Sequence, residues 1–193
     1  QPYVYKAWMK DEAYEAYLEL IKTLHGNPYV PKVGPIKKVP IFFKRQGHVD
    51  GHLNVIKIER LEPSHSSASA ELLASRLQEL LNAKLNGSDE FAKQFAASFF
   101  KKSEFAGDEH LIEFAVALKR LYDQHGDSFA ADCRSDNIML RGSQLVVTDP
   151  LTTGYDREQS QKNSGVLFMQ DLSDTFDGEP AVLKSGSRPK VHT

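Results

Sequence analysis

Residues 127–151 read Asp-Ser-Phe-Ala-Ala-Asp-Cys-Arg-Ser-Asp-Asn-Ile-Met-Leu-Arg-Gly-Ser-Gln-Leu-Val-Val-Thr-Asp-Pro-Leu, and three polar side chains in this stretch decide how the chain is read. Asp132 is followed five positions later by Asn137 and, twelve further on, by Asp149. Between the last two runs an apolar strand, a turn and a second apolar strand: Ile138-Met139-Leu140, Arg141-Gly142-Ser143, Leu145-Val146-Val147. Such a hairpin brings Asn137, just before its first strand, close to Asp149, just after its second. An amide oxygen and a carboxylate at neighbouring points can hold a hard divalent ion, which takes oxygen ligands. Asp132, on the same loop as Asn137, is left to accept a proton from a hydroxyl nucleophile. Asp-x-x-x-x-Asn alone recurs by chance, and Asp-Pro after a strand is an ordinary turn starter. The order of the three residues, the hairpin between them and an apolar helix just upstream give the pattern its specificity.

That upstream helix is expected over 109–122, with Leu111, Phe114, Leu118 and Leu121 in register. Before it, 88–102 reads as a helix capped by Ser88, with Asp89 and Glu90 in its first turn, and 67–86 as an amphipathic helix. Leu72, Leu73, Leu77, Leu80 and Leu81 form the apolar side of the latter, a core face rather than a partner-binding zipper. The chain's first part has a different character. Residues 3–8, Tyr-Val-Tyr-Lys-Ala-Trp, read as a strand carrying Lys6. A helix over 11–24 follows, its apolar arc made by Tyr14, Tyr17, Leu18, Ile21 and Leu24 and its stop by Gly26-Asn27-Pro28. Strands are expected at 29–33, 39–43 and 53–58, with 44–51 as a hairpin connection. At Glu59-Arg60-Leu61-Glu62-Pro63 the composition changes from β-rich to Ala/Leu/Ser-rich, which sets the lobe boundary. Residues 152–193 are polar and Gly/Ser-rich, with apolar islands only at 165–169 and 181–183, and are expected to be loop-dominated.

With 193 residues and 40% hydrophobic content, the chain can bury one good core or two small lobes. A formal charge of -2 gives no bulk attraction to nucleic acid or anionic membrane. One cysteine, Cys133, excludes an internal disulfide framework and fits a reducing cytosol. The apolar runs are too short to span a bilayer, and no signal peptide is visible. No His or Cys pair has zinc-ligand spacing, and the basic pairs Lys37-Lys38 and Lys44-Arg45 read as solvated surface.

In this order the landmarks resemble the protein-kinase superfamily, entered partway through its first lobe. Val4-Tyr5-Lys6-Ala7-Trp8 resembles the strand bearing the phosphate-binding lysine, and the helix at 11–24 the one supplying its glutamate partner. Asn27-Pro28-Tyr29-Val30-Pro31 resembles the helix-to-strand passage, and Ile58-Glu59-Arg60-Leu61-Glu62 the hinge. Among kinases, Asp132-Cys-Arg-Ser-Asp-Asn137-Ile-Met with Val147-Thr-Asp149-Pro150 is most similar to the early serine/threonine kinases of short-tailed lytic bacteriophages. The likeness covers about residues 3–152.

The resemblance implies an α+β, two-lobed kinase-like fold: a small β-rich first lobe at 1–62, and a helical second lobe at 63–193 with the catalytic hairpin. It implies ATP and Mg²⁺ as cofactors, Asp132 as catalytic base, and Arg134 as a neutraliser of the transferred phosphoryl group. Asn137 and Asp149 are then the metal ligands and Lys6 the phosphate contact. Glu15 or Glu19 is the partner of Lys6, and main-chain groups of Glu59 and Leu61 bind adenine. Host proteins in the bacterial cytoplasm are the implied substrates, with no direct nucleic-acid partner and no membrane.

The departures are specific. Five residues precede Lys6, so the phosphate-covering glycine-rich loop is missing here, and a first residue Gln rather than Met suits a start downstream of the native one. Ala130-Ala131 stand where many kinases have His-Arg, and Pro150 follows Asp149 in place of Phe-Gly, which together imply an enzyme without the usual switches. Two other readings stay open: a pseudokinase-like module inhibiting a host protein by contact, and a small-molecule phosphotransferase of the aminoglycoside type. The latter's His-Gly-Asp motif has a counterpart in His125-Gly126-Asp127, but the fifth residue after Asp127 is Asp132, not Asn. Its acidic substrate cleft would have to draw on Asp171, Asp174 and Asp177.

Overall fold

The alternating β-formers at the start of the chain make strand β1 (Tyr3–Trp8), and the helix after it, α1 (Glu12–Thr23), begins where Asp11 accepts a hydrogen bond from the Tyr14 amide at 2.9 Å. The computed structural model describes residues 2–42, 49–64, 67–85 and 87–153. Lys44-Arg45, the apolar islands at 165–169 and 181–183, and the acids Asp171, Asp174 and Asp177 therefore lie outside the described residues. The architecture is mixed α+β with small antiparallel sheets.

Strands β2 (Val33–Phe42) and β3 (Val49–Glu59) form a long hairpin that joins β1 in a three-stranded antiparallel sheet of order β1-β3-β2. Both strands are longer than the sequence predicts. Pro35 and Pro40 interrupt the pattern of β2, but β2 is an edge strand, where proline is tolerated because its missing N–H faces away from the ladder. Of the strand expected at 29–33, only Val33 enters a sheet, as the first residue of β2. Tyr29 and Val30 are buried, but their carbonyls are used outside the sheet: Tyr29 O accepts from Val147 N at 2.9 Å and Val30 O from Arg141 Nη2 at 3.0 Å. Asn27, itself buried, holds the turn by accepting from the Tyr29 amide and donating to His110 O.

After β3 the chain enters β4 (Glu62–Pro63) and then three helices, α2 (Ala68–Asn82), α3 (Asp89–Phe100) and α4 (Glu109–His125). Each starts at a side-chain cap: Ser67, Ser88 and Asp108 accept from the amides of Ala70, Phe91 and Leu111. Leu73, Leu77, Leu80 and Leu81 of α2 are core, whereas Leu72 is half-buried at its edge. Helix α4 runs past Tyr122 to His125 and stops at Gly126, whose φ of +52° suits glycine. Among the described residues, no helix is long and apolar enough to cross a membrane.

The chain then forms β5 (Phe129–Ala131), the hairpin β6 (Ile138–Arg141) and β7 (Gln144–Val147), and β8 (Leu151–Thr153). Its turn is Gly142-Ser143, with Gly142 at φ +63°, so Arg141 belongs to the strand. Strand β4 pairs with β6, Glu62 opposite Leu140, which straps the exit from the first sheet onto the hairpin. One buried cluster runs from Trp8, Tyr14 and Ile56 through Tyr17 and Phe114 to Ile138 and Val147. Within it, the Tyr17 hydroxyl donates to Val147 O at 2.7 Å, and burial pushes that hydroxyl's pKa well up. Tyr17→Phe keeps the ring but leaves a buried carbonyl short of its donor. A stability loss of about 1–2 kcal/mol is expected in urea unfolding; an unchanged midpoint would show that the bond contributes nothing.

Candidate active site

Asp132, Asn137 and Asp149 are brought together by backbone bonds that their spacing alone does not specify. Strand β5 pairs with β8, Ala131 opposite Leu151, so the residues just beyond that pair face one another, and the Asp132 amide donates to Pro150 O at 2.8 Å. Ser135–Asn137 forms a single 3-10 turn, after which Asn137 O accepts from both the amide and the hydroxyl of Thr148, at 2.8 and 2.9 Å. The residues flanking Asp149 are thus tied to Asp132 on one side and Asn137 on the other. The hairpin puts Asn137 beside Asp149 as the sequence predicts. The β5–β8 ladder, which the sequence analysis does not predict, adds Asp132.

The side chains are ordered as closely as the backbone. Asn137 Nδ2 donates to Asp132 O at 2.8 Å and to Asp132 Oδ2 at 3.1 Å, which turns the amide oxygen of Asn137 away from Asp132. Asp132 Oδ1 lies 3.1 Å from Nε of Arg134, an exposed side chain that also approaches Asp136 at 3.4 Å. Cys133, next to Asp132 in sequence, is buried against Pro150 O, and burial with the neighbouring Asp132 charge pushes its thiol up to about 12. It is therefore a small core side chain and no nucleophile at neutral pH.

Lys6 reaches this group from β1. Its ammonium lies 2.7 Å from Asp149 Oδ2, in a pair about one-third exposed. Burial raises the Asp149 pKa above the ordinary carboxylate range, although Lys6 pulls the other way. The partner of Lys6 is therefore Asp149, and neither Glu15 nor Glu19 as the kinase resemblance implied. Glu15 Oε1 accepts from Trp8 Nε1 at 3.0 Å and Asn54 Nδ2 at 2.9 Å, while Glu19 is an exposed partner of Lys22. On α1 it is Tyr14, one residue before Glu15, that lies under Lys6, with the ammonium 3.4 Å from the centre of its ring.

Glu59 ends β3 and takes a bidentate interaction from Arg141 through Nε, at 2.9 Å, and Nη2. Its amide donates to Lys32 O at 2.9 Å, and its carboxylate accepts from the Lys32 amide at 2.7 Å. Leu61 is buried two residues on. The side chain of Glu59 is thus committed within the protein, and sequence reasoning missed Arg141 because a turn-flanking arginine carries no local sign of a long-range partner. Elsewhere, His125 stacks on Phe129 with ring centres 4.0 Å apart while Asp127 is exposed, which places His-Gly-Asp at a helix end outside the site. Lys37 and Lys38 lie exposed on β2.

Among the described residues there is no group of three or more His, Cys, Asp or Glu side chains able to cage a metal ion. What the arrangement offers is the Asp149 carboxylate paired with a lysine ammonium, with a second carboxylate, Asp132, oriented by Asn137. Set against protein-family models, curated proteins and solved structures, the chain matches none of them.

Proposed function

We propose that the chain is a two-lobed phosphotransferase of the protein-kinase type, passing the γ-phosphate of ATP to Ser or Thr hydroxyls of proteins. The observation that carries this reading is the convergence of Lys6, Asp132, Asn137 and Asp149, with Lys6 brought 143 positions along the chain to Asp149. A ligand set of Asp149 and the Asn137 amide oxygen suits Mg²⁺, which usually keeps several waters and takes one or two carboxylates plus phosphate oxygens. Bound there, Mg²⁺ would neutralise charge on the phosphates.

The chain's own groups supply the rest. Lys6 binds phosphate oxygens as a compact cation. Asp132 accepts the proton of the acceptor hydroxyl as its oxygen bonds to the γ-phosphorus and the bond to the ADP oxygen breaks. The Asn137 amide and Arg134 hold the two carboxylate oxygens of Asp132 in place, and exposed Arg134 adds positive charge on the acceptor's side. By the same likeness, main-chain groups of Glu59 and Leu61, at the end of β3 and just after it, are assigned to adenine; the Glu59 amide is already used by Lys32 O, which leaves its carbonyl for that role. The likeness to early phage kinases extends the proposal to host proteins as acceptors and the bacterial cytoplasm as the setting.

Calorimetric titration with ATP, with and without Mg²⁺, tests the reading on the parent chain and Asp149→Ala. Mg²⁺-dependent binding is expected in the parent, weakened on the order of tenfold or more in the variant. Because the pKa of Asp149 is raised, its protonation on acidification begins above the ordinary carboxylate range, and only the ionised form ligates. Affinity should accordingly fall at a higher pH than it would for an ordinary aspartate ligand. Equal affinity with and without Mg²⁺, or no loss in Asp149→Ala, would overturn the proposed site.

A further inference from the structure

Among the described residues, the Lys6 ammonium meets a carboxylate and an aromatic ring. Asp149 Oδ2 sits 2.7 Å from the ammonium, and the ring of Tyr14 lies beneath it with the centroid 3.4 Å away. If Asp149 turns to a divalent ion, it can no longer serve as counter-charge to Lys6 in the same way, and the lysine then faces a second cation. A kinase of the usual pattern would restrain the lysine with a glutamate from the helix. Here Glu19 is paired to Lys22 at the surface, and Glu15 is turned to Trp8 and Asn54.

We infer that Tyr14 is the positioning residue for Lys6, holding its ammonium on the face of the ring so that it stays aimed at the phosphates once Asp149 binds the metal. This rests on the phosphotransferase reading above. A ring face attracts a cation through its quadrupole without neutralising it, so the full charge of Lys6 stays available to an anion. The ring is itself fixed. Tyr14 is almost fully buried, Trp8 packs edge-on against it with centroids 5.1 Å apart at 85°, and Glu15 pins the Trp8 indole through Nε1. Glu15 therefore acts through two intermediaries: Asn54 holds Glu15, Glu15 orients Trp8, Trp8 braces Tyr14, and Tyr14 holds Lys6. The π face between lysine and helix replaces the carboxylate that the resemblance led one to expect.

The test uses the full chain with Tyr14→Phe, which keeps the π face, Tyr14→Leu, which keeps apolar bulk without it, and phenylalanine carrying one to three ring fluorines at position 14. Two readouts are taken. The first is the ¹³C-methyl resonance of reductively methylated Lys6 without nucleotide, assigned by its loss in Lys6→Met. The second is Mg²⁺·ADP affinity by calorimetry. A ring-current upfield shift is expected in the parent and Tyr14→Phe and not in Tyr14→Leu. Mg²⁺·ADP affinity should be within about twofold of the parent in Tyr14→Phe, roughly fivefold weaker in Tyr14→Leu, and progressively weaker with each fluorine. The fluorinated series preserves shape, so it decides the matter even if Tyr14→Leu does not fold. Nucleotide binding that is indifferent to fluorination, or no ring-current shift in the parent, overturns the role of Tyr14 while leaving the phosphotransferase reading standing. A normal shift with no nucleotide binding by the parent overturns the phosphotransferase reading, and with it the aiming of Lys6 at phosphate.

Discussion

Asp132→Asn should lower the rate of phosphate transfer on the order of 10³-fold while leaving Mg²⁺·ATP affinity within about threefold of the parent. The substitution is nearly isosteric. Its amide oxygen can still accept from Asn137 Nδ2, which donates to Asp132 Oδ2 at 3.1 Å, and the backbone bond from residue 132 to Pro150 O is untouched. What disappears is the carboxylate basicity that the proposed transfer assigns to Asp132, and the attraction of Arg134, which lies 3.1 Å from Oδ1. Radiolabelled phosphate transfer to dephosphorylated casein and to the chain itself, at saturating ATP, measures the loss. A variant with the parent's turnover would remove Asp132 as the base. Transfer that fails together with nucleotide binding would mean that the side chain acts in holding the site together.

Arg141→Met is expected to destabilise the fold by about 3 kcal/mol, a large fraction of a typical domain's stability. The guanidinium binds both carboxylate oxygens of Glu59 and donates to Pro28 O at 3.1 Å and Val30 O at 3.0 Å. Methionine fills much of the volume but leaves the Glu59 carboxylate, only 11% exposed, with the Lys32 amide as its remaining donor. The cost is largely that of a buried charge stripped of its partner, so Glu59→Gln in the Arg141→Met background should recover part of it.

Acid titration adds an independent check on the same pair. Burial alone would raise the Glu59 pKa, but hydrogen bonds from Arg141 and the Lys32 amide outweigh it and the net shift is downward. A group lowered in the folded state contributes stability above its unfolded pKa, roughly 4.3, and loses it as the pH falls through the lower folded value. The stability gap between parent and Arg141→Met, read from denaturant midpoints, should therefore narrow below pH about 4. A gap of the same size at pH 3 and pH 7 would contradict the pairing as its origin.

Helix starts were legible in the chain because they are local: Ser88 was readable as a cap, and Asp11, Ser67 and Asp108, at the other starts, cap their helices in the structure. The hairpin between Asn137 and Asp149 was legible for the same reason, two β-forming runs around Gly142. Longer-range pairings were not. Nothing near 129–131 or 151–153 distinguishes their ladder from two short loop segments, yet that ladder sets Asp132 opposite Pro150. The segment at 29–33 has the composition of a strand, but the carbonyls of Tyr29 and Val30 are taken by Val147 and Arg141, more than a hundred residues away, and such partners override local propensity.

The partner of Lys6 shows the division most clearly. By itself the sequence determined the four long helices, the hairpin, the lysine on the first strand and the spaced Asp132, Asn137 and Asp149, since propensity, capping and turn chemistry act over a few residues. Only the tertiary structure decided that Asp149 meets Lys6, that Glu15 serves Trp8, and that Tyr14 lies under the ammonium. Which of several neighbouring side chains on a helix faces a given charge depends on how that helix sits on the sheet and hairpin. Packing of Tyr17, Leu18 and Ile21 in the shared core fixes that placement.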